Sequence, residues 1–298
     1  MRTLKQYAVL VLKGMGMGAA DVVPGVSGGT IALIVGIYEE LINSIKSIDL
    51  KTLKLLFTLK FASFWRAING SFLLSVVGGI LISIYSLAKA VTYLLEYHPV
   101  MIWAFFFGLV LSSVYYVARK VSVWNVINIV SFIVGAVFAY YITVATPTTT
   151  PNDLWFVFLS GAIAICAMIL PGISGSFILL LLGKYHYVMT AVKELDFSII
   201  AVFACGAVIG IILFSRFLSY LLANFYNITI AVLSGFMLGS LNKVWPWKEV
   251  TERLADGTVL AERNILPHAY VWEGIGLIAV GIAVVVILET VSARYEKK

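Results

Sequence analysis

Apolar runs of about 20 residues recur along this chain, and they restrict its fold more than any other feature. A helix of that length crosses a hydrocarbon core of about 30 Å. Inside such a core every backbone N–H and C=O group needs a partner within the protein, which favours helices as spanning segments. The mean hydropathy of +1.00 and the charged fraction of 12% agree with this environment. The sequence therefore predicts an all-α integral membrane protein, with residues 1–298 forming a single membrane domain.

An internal duplication divides the chain into two repeats, about 1–145 and 146–298. A shift of 147 positions aligns the first half with the second, and a shift of 127 positions continues the alignment further along. The aligned segments are PGVSGG at 24–29 with PGISGS at 171–176, and KAVTYLL at 89–95 with RFLSYLL at 216–222. Such internal repeats are typical of membrane transporters.

Each repeat is predicted to contain a re-entrant helical hairpin broken by Pro and Gly, followed by three transmembrane helices. The six apolar stretches lie at about 71–95, 100–118, 124–145, 198–222, 228–241 and 269–290. The first repeat also contains about 20 additional residues, where apolar side chains recur at helical spacing opposite Lys, Thr and Arg. This pattern predicts an interfacial amphipathic helix in the first repeat.

The distribution of Lys and Arg predicts how the repeats are oriented. If each hairpin returns to the side it entered from, each repeat crosses three times and the second is inverted relative to the first. In this arrangement thirteen of the 21 Lys and Arg residues face the cytoplasm, six face outside and two lie within crossings. Cytoplasmic loops collect such residues, so the count predicts two inverted-topology repeats with both termini in the cytoplasm.

The two Pro/Gly breaks are the candidate substrate-binding site. A broken helix in hydrocarbon frees backbone groups that need a ligand, water or protein partner. The helix restarting after each break directs N–H groups and positive potential toward an anion such as phosphate. The residues concerned are Pro24, Gly25, Ser27, Gly28, Gly29 and Thr30 in the first motif, and Pro171, Gly172, Ser174, Gly175 and Ser176 in the second. Close helix packing through small residues is the alternative interpretation.

Four ionisable residues complete the candidate site. Lys89 and Arg216 occupy equivalent positions within crossings, where they either bind the phosphate or extend toward the membrane interface. Arginine suits phosphate because its planar guanidinium donates two parallel hydrogen bonds. Asp21 and Glu39 are the acidic residues nearest the first break. They predict either proton coupling or a carboxylate at the solvated end of the hairpin.

Metal, cofactor and nucleic-acid functions find no support in the sequence. The three His residues are widely separated, so we expect no metal site and no cofactor. Cys166 and Cys205 lie in apolar segments without metal or redox spacing, which predicts buried small hydrophobic residues. The chain also lacks a paired catalytic set, which predicts that it is not an enzyme.

The segment GMGMGAADVVPGVSGGTIALIVGIYEELINSI, residues 14–45, resembles the signature of a bacterial family of polyprenyl-phosphate (undecaprenyl-phosphate) transporters. This family was formerly a domain of unknown function, and the likeness extends over essentially the whole chain. It implies a flippase or translocase of the bacterial plasma (inner) membrane that works by alternating access. Its lipid substrate, undecaprenyl phosphate, would return from the outer to the cytoplasmic leaflet for carrier-lipid recycling in cell-wall biogenesis.

Two other functions fit parts of the sequence. A transporter of a small soluble anion would use the same half-helix ends but would need a closed aqueous route instead of a lateral opening. A lipid-pyrophosphate phosphatase would need the nucleophile or acid/base groups that the sequence lacks. The resemblance favours a polyprenyl phosphate lipid as the partner, in contact with other membrane lipids and without nucleic acid.

Overall fold

The computed structural model describes residues 2–23, 26–253 and 259–296, and most of these residues are helical. The first half contains α1 (Leu4–Val22), α2 (Gly28–Ile34), α3 (Tyr38–Lys46), α4 (Leu50–Phe57), α5 (Phe61–Ala67), α6 (Gly70–Tyr97), α7 (Pro99–Ala118) and α8 (Val126–Val144). The second half contains α9 (Leu154–Ile169), α10 (Gly175–Leu181), α11 (Tyr185–Glu194), α12 (Phe197–Asn224), α13 (Tyr226–Ser240), β1 (Lys248–Arg253), β2 (Val259–Asn264) and α14 (Val271–Glu296).

Several of these helices are long and apolar enough to cross a membrane. In the described part of the chain there are five, namely α6, α7, α8, α12 and α14. The number rises to seven if each of two sharply bent helix pairs is one span. The predicted stretch at 228–241 became α13, which is apolar but only 15 residues long. The prediction of a helical integral membrane protein is therefore confirmed, while the count of six crossings stays a prediction.

The helices of the second half follow the same order as those of the first half. Both α6 and α12 contain 28 residues, and both α2 and α10 contain seven. The helix α1 packs on α6, and in the same way α9 packs on α12. Likewise α8 packs on α13, and α14 packs on α7. The inserted α4 and α5 account for the additional residues of the first half.

Equivalent glycines make equivalent close contacts in the two halves. A Cβ on Gly14 would lie 2.3 Å from the carbonyl oxygen of Val76, and a Cβ on Gly161 would lie 2.3 Å from that of Phe203. Gly14 aligns with Gly161 and Val76 aligns with Phe203 under the two sequence shifts. A glycine at this position therefore allows the backbones of the paired helices to approach closely.

Each half also bends sharply at a second position, which was not predicted from the sequence. The axes of α2 and α3 differ by 118°, and those of α10 and α11 differ by 107°. The bends lie at Gly36 and Gly183, with φ of +73° and +63°. Glycine adopts this left-handed conformation without the steric cost of a Cβ. Bent pairs of this kind fit either a broken span or a re-entrant hairpin.

The predicted interfacial helix is divided into two helices, α4 and α5. Leu59 adopts a φ of +57° between them, so the single continuous helix expected from the periodicity was wrong. Apolar side chains remain exposed on both helices, including Leu50, Phe57, Phe61 and Trp65. Exposed apolar side chains beside lysines fit a position at the membrane surface.

A β-hairpin between α13 and α14 departs from the all-α prediction. Its strands β1 and β2 pair antiparallel, with Lys248 opposite Asn264 and Glu249 opposite Arg263. The indole N–H of Trp247, just before β1, donates to the carbonyl of Ala269 at 2.9 Å. Short polar strands carry a weak hydropathy signal, and for this reason the hairpin was missed.

The buried core lies around the first broken helix. All seven residues of α2 are buried, and their neighbours include residues of α1, α7, α9 and α14. The two cysteines lie outside this core. Cys205 is exposed and Cys166 is partly exposed, so the prediction that both are buried was wrong. In a membrane helix an apolar residue also faces lipid, which the hydropathy pattern does not distinguish from burial.

Candidate functional site

Side chains of the protein itself satisfy the backbone amides at the first motif. The amide of Gly28 donates to Oδ1 of Asp21 at 2.7 Å, and the amide of Gly29 donates to Oγ of Ser27 at 3.0 Å. These two bonds satisfy the first N–H groups of α2, as capping side chains do. Pro24 and Gly25, which were predicted to break the helix and bind substrate, lie outside the described residues.

The second motif has a different local structure. Helix α9 ends at Ile169, and Gly172 adopts a φ of +87° in the turn after Pro171. Ser174 is the N-cap of α10, but its side chain makes no capping hydrogen bond. Its hydroxyl instead lies 2.8 Å from the hydroxyl of Ser176. The second break therefore presents two adjacent hydroxyls and no carboxylate in the position of Asp21, which Met168 occupies.

The structure brings the two motifs into direct contact. Thr30 accepts a hydrogen bond from the amide of Gly172 at 2.9 Å, and Ser27 donates to the carbonyl of Met168 at 2.7 Å. Tyr38 also reaches across and donates to the carbonyl of Ile169 at 3.2 Å. Ser27 and Thr30 are completely buried. Backbone groups freed by the second break are thus satisfied by side chains from the first half, as burial in an apolar environment demands.

A close backbone approach accompanies these hydrogen bonds. A Cβ on Gly29 would lie 2.2 Å from the carbonyl oxygen of Ile169. Gly172 lies against α13, where a Cβ would meet the hydroxyl of Ser240 at 2.7 Å. Both glycines were predicted as site residues, and the structure shows that neighbouring protein groups fill the space around them.

The two broken helices differ in exposure. Every residue of α2 is buried, whereas Gly175 is the one buried residue of α10. Ser176 is exposed at the beginning of α10, and Ser174 beside it is 5% exposed. Of the two motifs, the second is therefore the one with a serine, Ser176, that an external ligand can reach in this conformation.

The two cations of the candidate site lie on the outside of the helix bundle. Lys89 on α6 and Arg216 on α12 are both exposed, and none of the described hydrogen bonds or ion pairs joins either one to the motifs. Hydrogen bonds from Thr52 lower the pKa of Asp49, and the charge of Arg216 contributes to the same effect. Arg216 is therefore near the residue that caps α4.

The two candidate acids have separate surroundings. Asp21 lies at the first break, where it accepts from Gly28. Glu39 is exposed in the first turn of α3 and interacts with the hydroxyl of Tyr226 on α13.

Lys184 is a buried cation whose position the sequence did not reveal. It is 1% exposed at the bend between α10 and α11. Its ammonium donates to the carbonyl of Thr150 at 2.9 Å and to the side chain of Asn152 at 2.6 Å. These bonds connect the second hairpin to the segment before α9. A lysine in a loop of a basic chain gives no sequence signal of burial, and its neighbour Gly183 was the nearest clue.

The geometry defines the class of this chain as a multi-pass membrane protein with two broken helices joined at its core. Comparison with known proteins then gives the family. A family model described as VCA0040-like, undecaprenyl phosphate translocase-like, matches residues 17–259. The chain belongs to this family. In the described residues, no group of three or more His, Cys, Asp or Glu side chains could hold a metal ion.

Two similar proteins extend over most of the chain. A polyprenyl-phosphate transporter of Vibrio cholerae is 48% identical, covering 89% of this chain and 87% of the relative. A polyprenyl-phosphate transporter of Staphylococcus aureus is 35% identical, covering 79% of this chain and 85% of the relative. No solved structure matches the chain. Both relatives are named as transporters, which agrees with the prediction that this chain is not an enzyme.

Proposed function

We propose that this protein is a flippase that moves undecaprenyl phosphate from the outer to the cytoplasmic leaflet of the bacterial plasma membrane. The observation that carries the proposal is the junction of the two Pro/Gly breaks, where Thr30, Ser27 and Tyr38 bond to the backbone of the other half. Discontinuous helices that meet at a repeat interface are the usual site for substrate in transporters. The names of the two relatives support the choice of a polyprenyl phosphate.

The proposed binding groups for the phosphate are the hydroxyls and free amides of the second motif. Ser174 and Ser176 place two hydroxyls side by side, with Ser176 exposed and Ser174 buried beneath it. At the first motif the carboxylate of Asp21 already accepts from Gly28, and its charge would repel phosphate there. Release of Gly28 by Asp21 would open an equivalent site. If Asp21 takes up a proton when it releases Gly28, opening of this site is coupled to proton binding.

The proposed transport cycle is alternating access between two inverted repeats. The two halves share their order of helices and their glycine contacts, yet α2 is buried and α10 is largely not. In a second conformation α2 would become accessible and α10 would be covered. The charge count supports cytoplasmic termini and an external β-hairpin. A lateral gap would leave the polyprenyl chain in lipid while its phosphate moves.

Reconstitution into liposomes tests this function. Purified protein should equilibrate undecaprenyl phosphate between leaflets without releasing inorganic phosphate from it or from undecaprenyl pyrophosphate. Cysteines introduced at Lys51 and Glu249, in a background without Cys166 and Cys205, report the orientation of the inserted protein by labelling from one side. Liposomes with the protein heat-inactivated before insertion are the control. Release of phosphate by the native protein would support a phosphatase instead.

Arg216 is proposed to attract phosphate from the cytoplasmic side, and Lys89 from the outer side. A charge-assisted contact contributes about 1.5–3 kcal/mol, so Arg216→Gln should weaken phosphate-lipid binding by roughly ten- to a hundredfold. Arg216→Lys should restore only part of the affinity, because it lacks the planar fork. Binding and flipping are measured for both variants and for Lys89→Gln. If Arg216→Gln and Lys89→Gln bind and flip the lipid like wild type, these side chains do not bind phosphate and only extend toward the membrane interface.

A further inference from the structure

A cavity of about 350 Å³, lined by both polar and apolar residues, lies beneath the β-hairpin and is separate from the junction of the two motifs. Its walls come from the end of α8, from α10, from the segment after α13 and from β2. Among its lining residues, Lys243, Lys248 and Arg263 are cationic and Glu262 is acidic. The lining therefore carries an excess of positive charge, which favours an anionic occupant.

Lys243 and Lys248 each contact an acidic and an aromatic side chain. Lys243 and Lys248 share the carboxylate of Glu262, at 3.3 and 3.5 Å. One carboxylate balances only one ammonium group, so the pair of lysines carries a net positive charge whenever Lys248 is protonated. Burial lowers the pKa of Lys248 to about 7, against the opposing effect of Glu262. A further negative charge in the cavity would favour the protonated form of this lysine.

Neutral polar side chains form a fixed wall beside these charges. Asn242 donates to the hydroxyl of Thr143 at 2.7 Å, and Asn264 donates to the side-chain oxygen of Asn242 at 2.9 Å. This chain of hydrogen bonds connects α8, the segment after α13 and β2. Polar side chains that are already hydrogen-bonded to one another offer a ligand a preorganised surface.

Part of the cavity lining is apolar and reaches the exposed surface of α8. Phe177 and Leu181 of α10 line it, together with Tyr140 and Val144 of α8. Tyr140 and Val144 are about half exposed. The ammonium of Lys243 lies 4.8 Å from the ring centroid of Phe177, which directly follows Ser176. Cationic groups beside an apolar, lipid-facing surface suit an anionic head attached to a hydrocarbon chain.

We infer that this cavity is an outer binding site for a phosphate monoester, with Lys243 and Arg263 as its cationic contacts. Arg263 is exposed at the rim, where it pairs with Glu249 at 2.9 Å and can exchange that partner for phosphate. The inference deepens the proposed function and rests on it for the identity of the lipid. The bound headgroup would lie next to the first turn of α10, and transfer to Ser174 and Ser176 would follow.

Binding of farnesyl phosphate to the purified full-length protein tests the site. The double variant Lys243→Gln, Arg263→Gln should bind it roughly ten- to a hundredfold more weakly, and Lys243→Arg should retain most of the affinity. Glu249→Gln should bind severalfold more tightly, because it releases Arg263 from its competing carboxylate. Lys193→Gln, an exposed lysine of α11, is the matched control and should bind like wild type. Size-exclusion profiles and thermal unfolding confirm that each variant is folded.

Inorganic phosphate and farnesol identify the ligand chemistry. If inorganic phosphate competes for the site with the same affinity as farnesyl phosphate, the site binds the free anion. We expect weaker competition by inorganic phosphate, and none by farnesol. Unchanged farnesyl phosphate affinity in both the double variant and Glu249→Gln would overturn the inference, even if the protein flips undecaprenyl phosphate. Conversely, binding that depends on Lys243 in a protein without flipping activity would refute the proposed function and leave the site intact.

Discussion

Gly29→Ala should remove most transport activity and destabilise the protein by roughly 1–3 kcal/mol. The added Cβ would lie 2.2 Å from the carbonyl oxygen of Ile169, a backbone atom that cannot rotate away. The first and second motifs would have to separate, which would lengthen the hydrogen bonds made by Ser27 and Thr30. Thermal unfolding and lipid flipping in liposomes measure the two effects.

Gly78→Ala is the matched control for this prediction. A Cβ on Gly78, within α6, meets nothing within 4 Å. Alanine has the higher helix propensity by about 0.8–1.0 kcal/mol, so this variant should unfold at the same or a higher temperature than wild type. If the Gly29→Ala variant unfolds and transports lipid like wild type, the close approach of the two motifs is not required for stability or transport.

Asp21→Asn should abolish the response of transport to a proton gradient while leaving the fold intact. The amide of Gly28 donates to the carboxylate of Asp21 at 2.7 Å. An asparagine retains an oxygen that accepts this bond, but its side chain neither loses nor gains a proton. Flipping is measured in liposomes with and without an imposed pH difference. Thermal unfolding of the variant should stay close to that of wild type.

Asp21→Ala separates the structural role of this side chain from its proton role. It removes the acceptor of the Gly28 amide, and loss of a helix cap costs about 0.5–2 kcal/mol. We therefore expect a lower unfolding temperature for Asp21→Ala than for Asp21→Asn. If Asp21→Asn flips lipid with the same dependence on the gradient as wild type, Asp21 is only a cap, and Glu39 becomes the carboxylate to test by the same substitution.

The outcomes at individual residues show where local sequence information was sufficient. Runs of apolar residues fixed the positions of α6, α7 and α8 to within a few residues, because a helix in lipid satisfies its own backbone. The paired PGVSGG and PGISGS segments predicted two helix breaks, since proline and glycine act on the backbone locally. The additional bends at Gly36 and Gly183 also had a sequence signal, because these glycines align between the repeats.

The same patterns did not distinguish the two faces of a helix in the membrane. Lipid and protein interior are both apolar, so hydropathy gave no difference between Cys205, which is exposed, and residues of α2, which are buried. The interfacial helix was predicted as one element because its apolar spacing continues through Leu59, where the backbone turns instead. Short polar strands such as β1 and β2 gave only a weak hydropathy signal.

The sequence by itself determined that this protein is a helical membrane protein, and it predicted two repeats that each contain a broken helix. These properties follow from composition, periodicity and local backbone chemistry. Only the tertiary structure decided that Thr30 accepts from Gly172, 142 positions away, and that Lys243 and Lys248 share Glu262. Such contacts depend on how whole helices pack, and packing is decided by the summed fit of many side chains and not by any short segment.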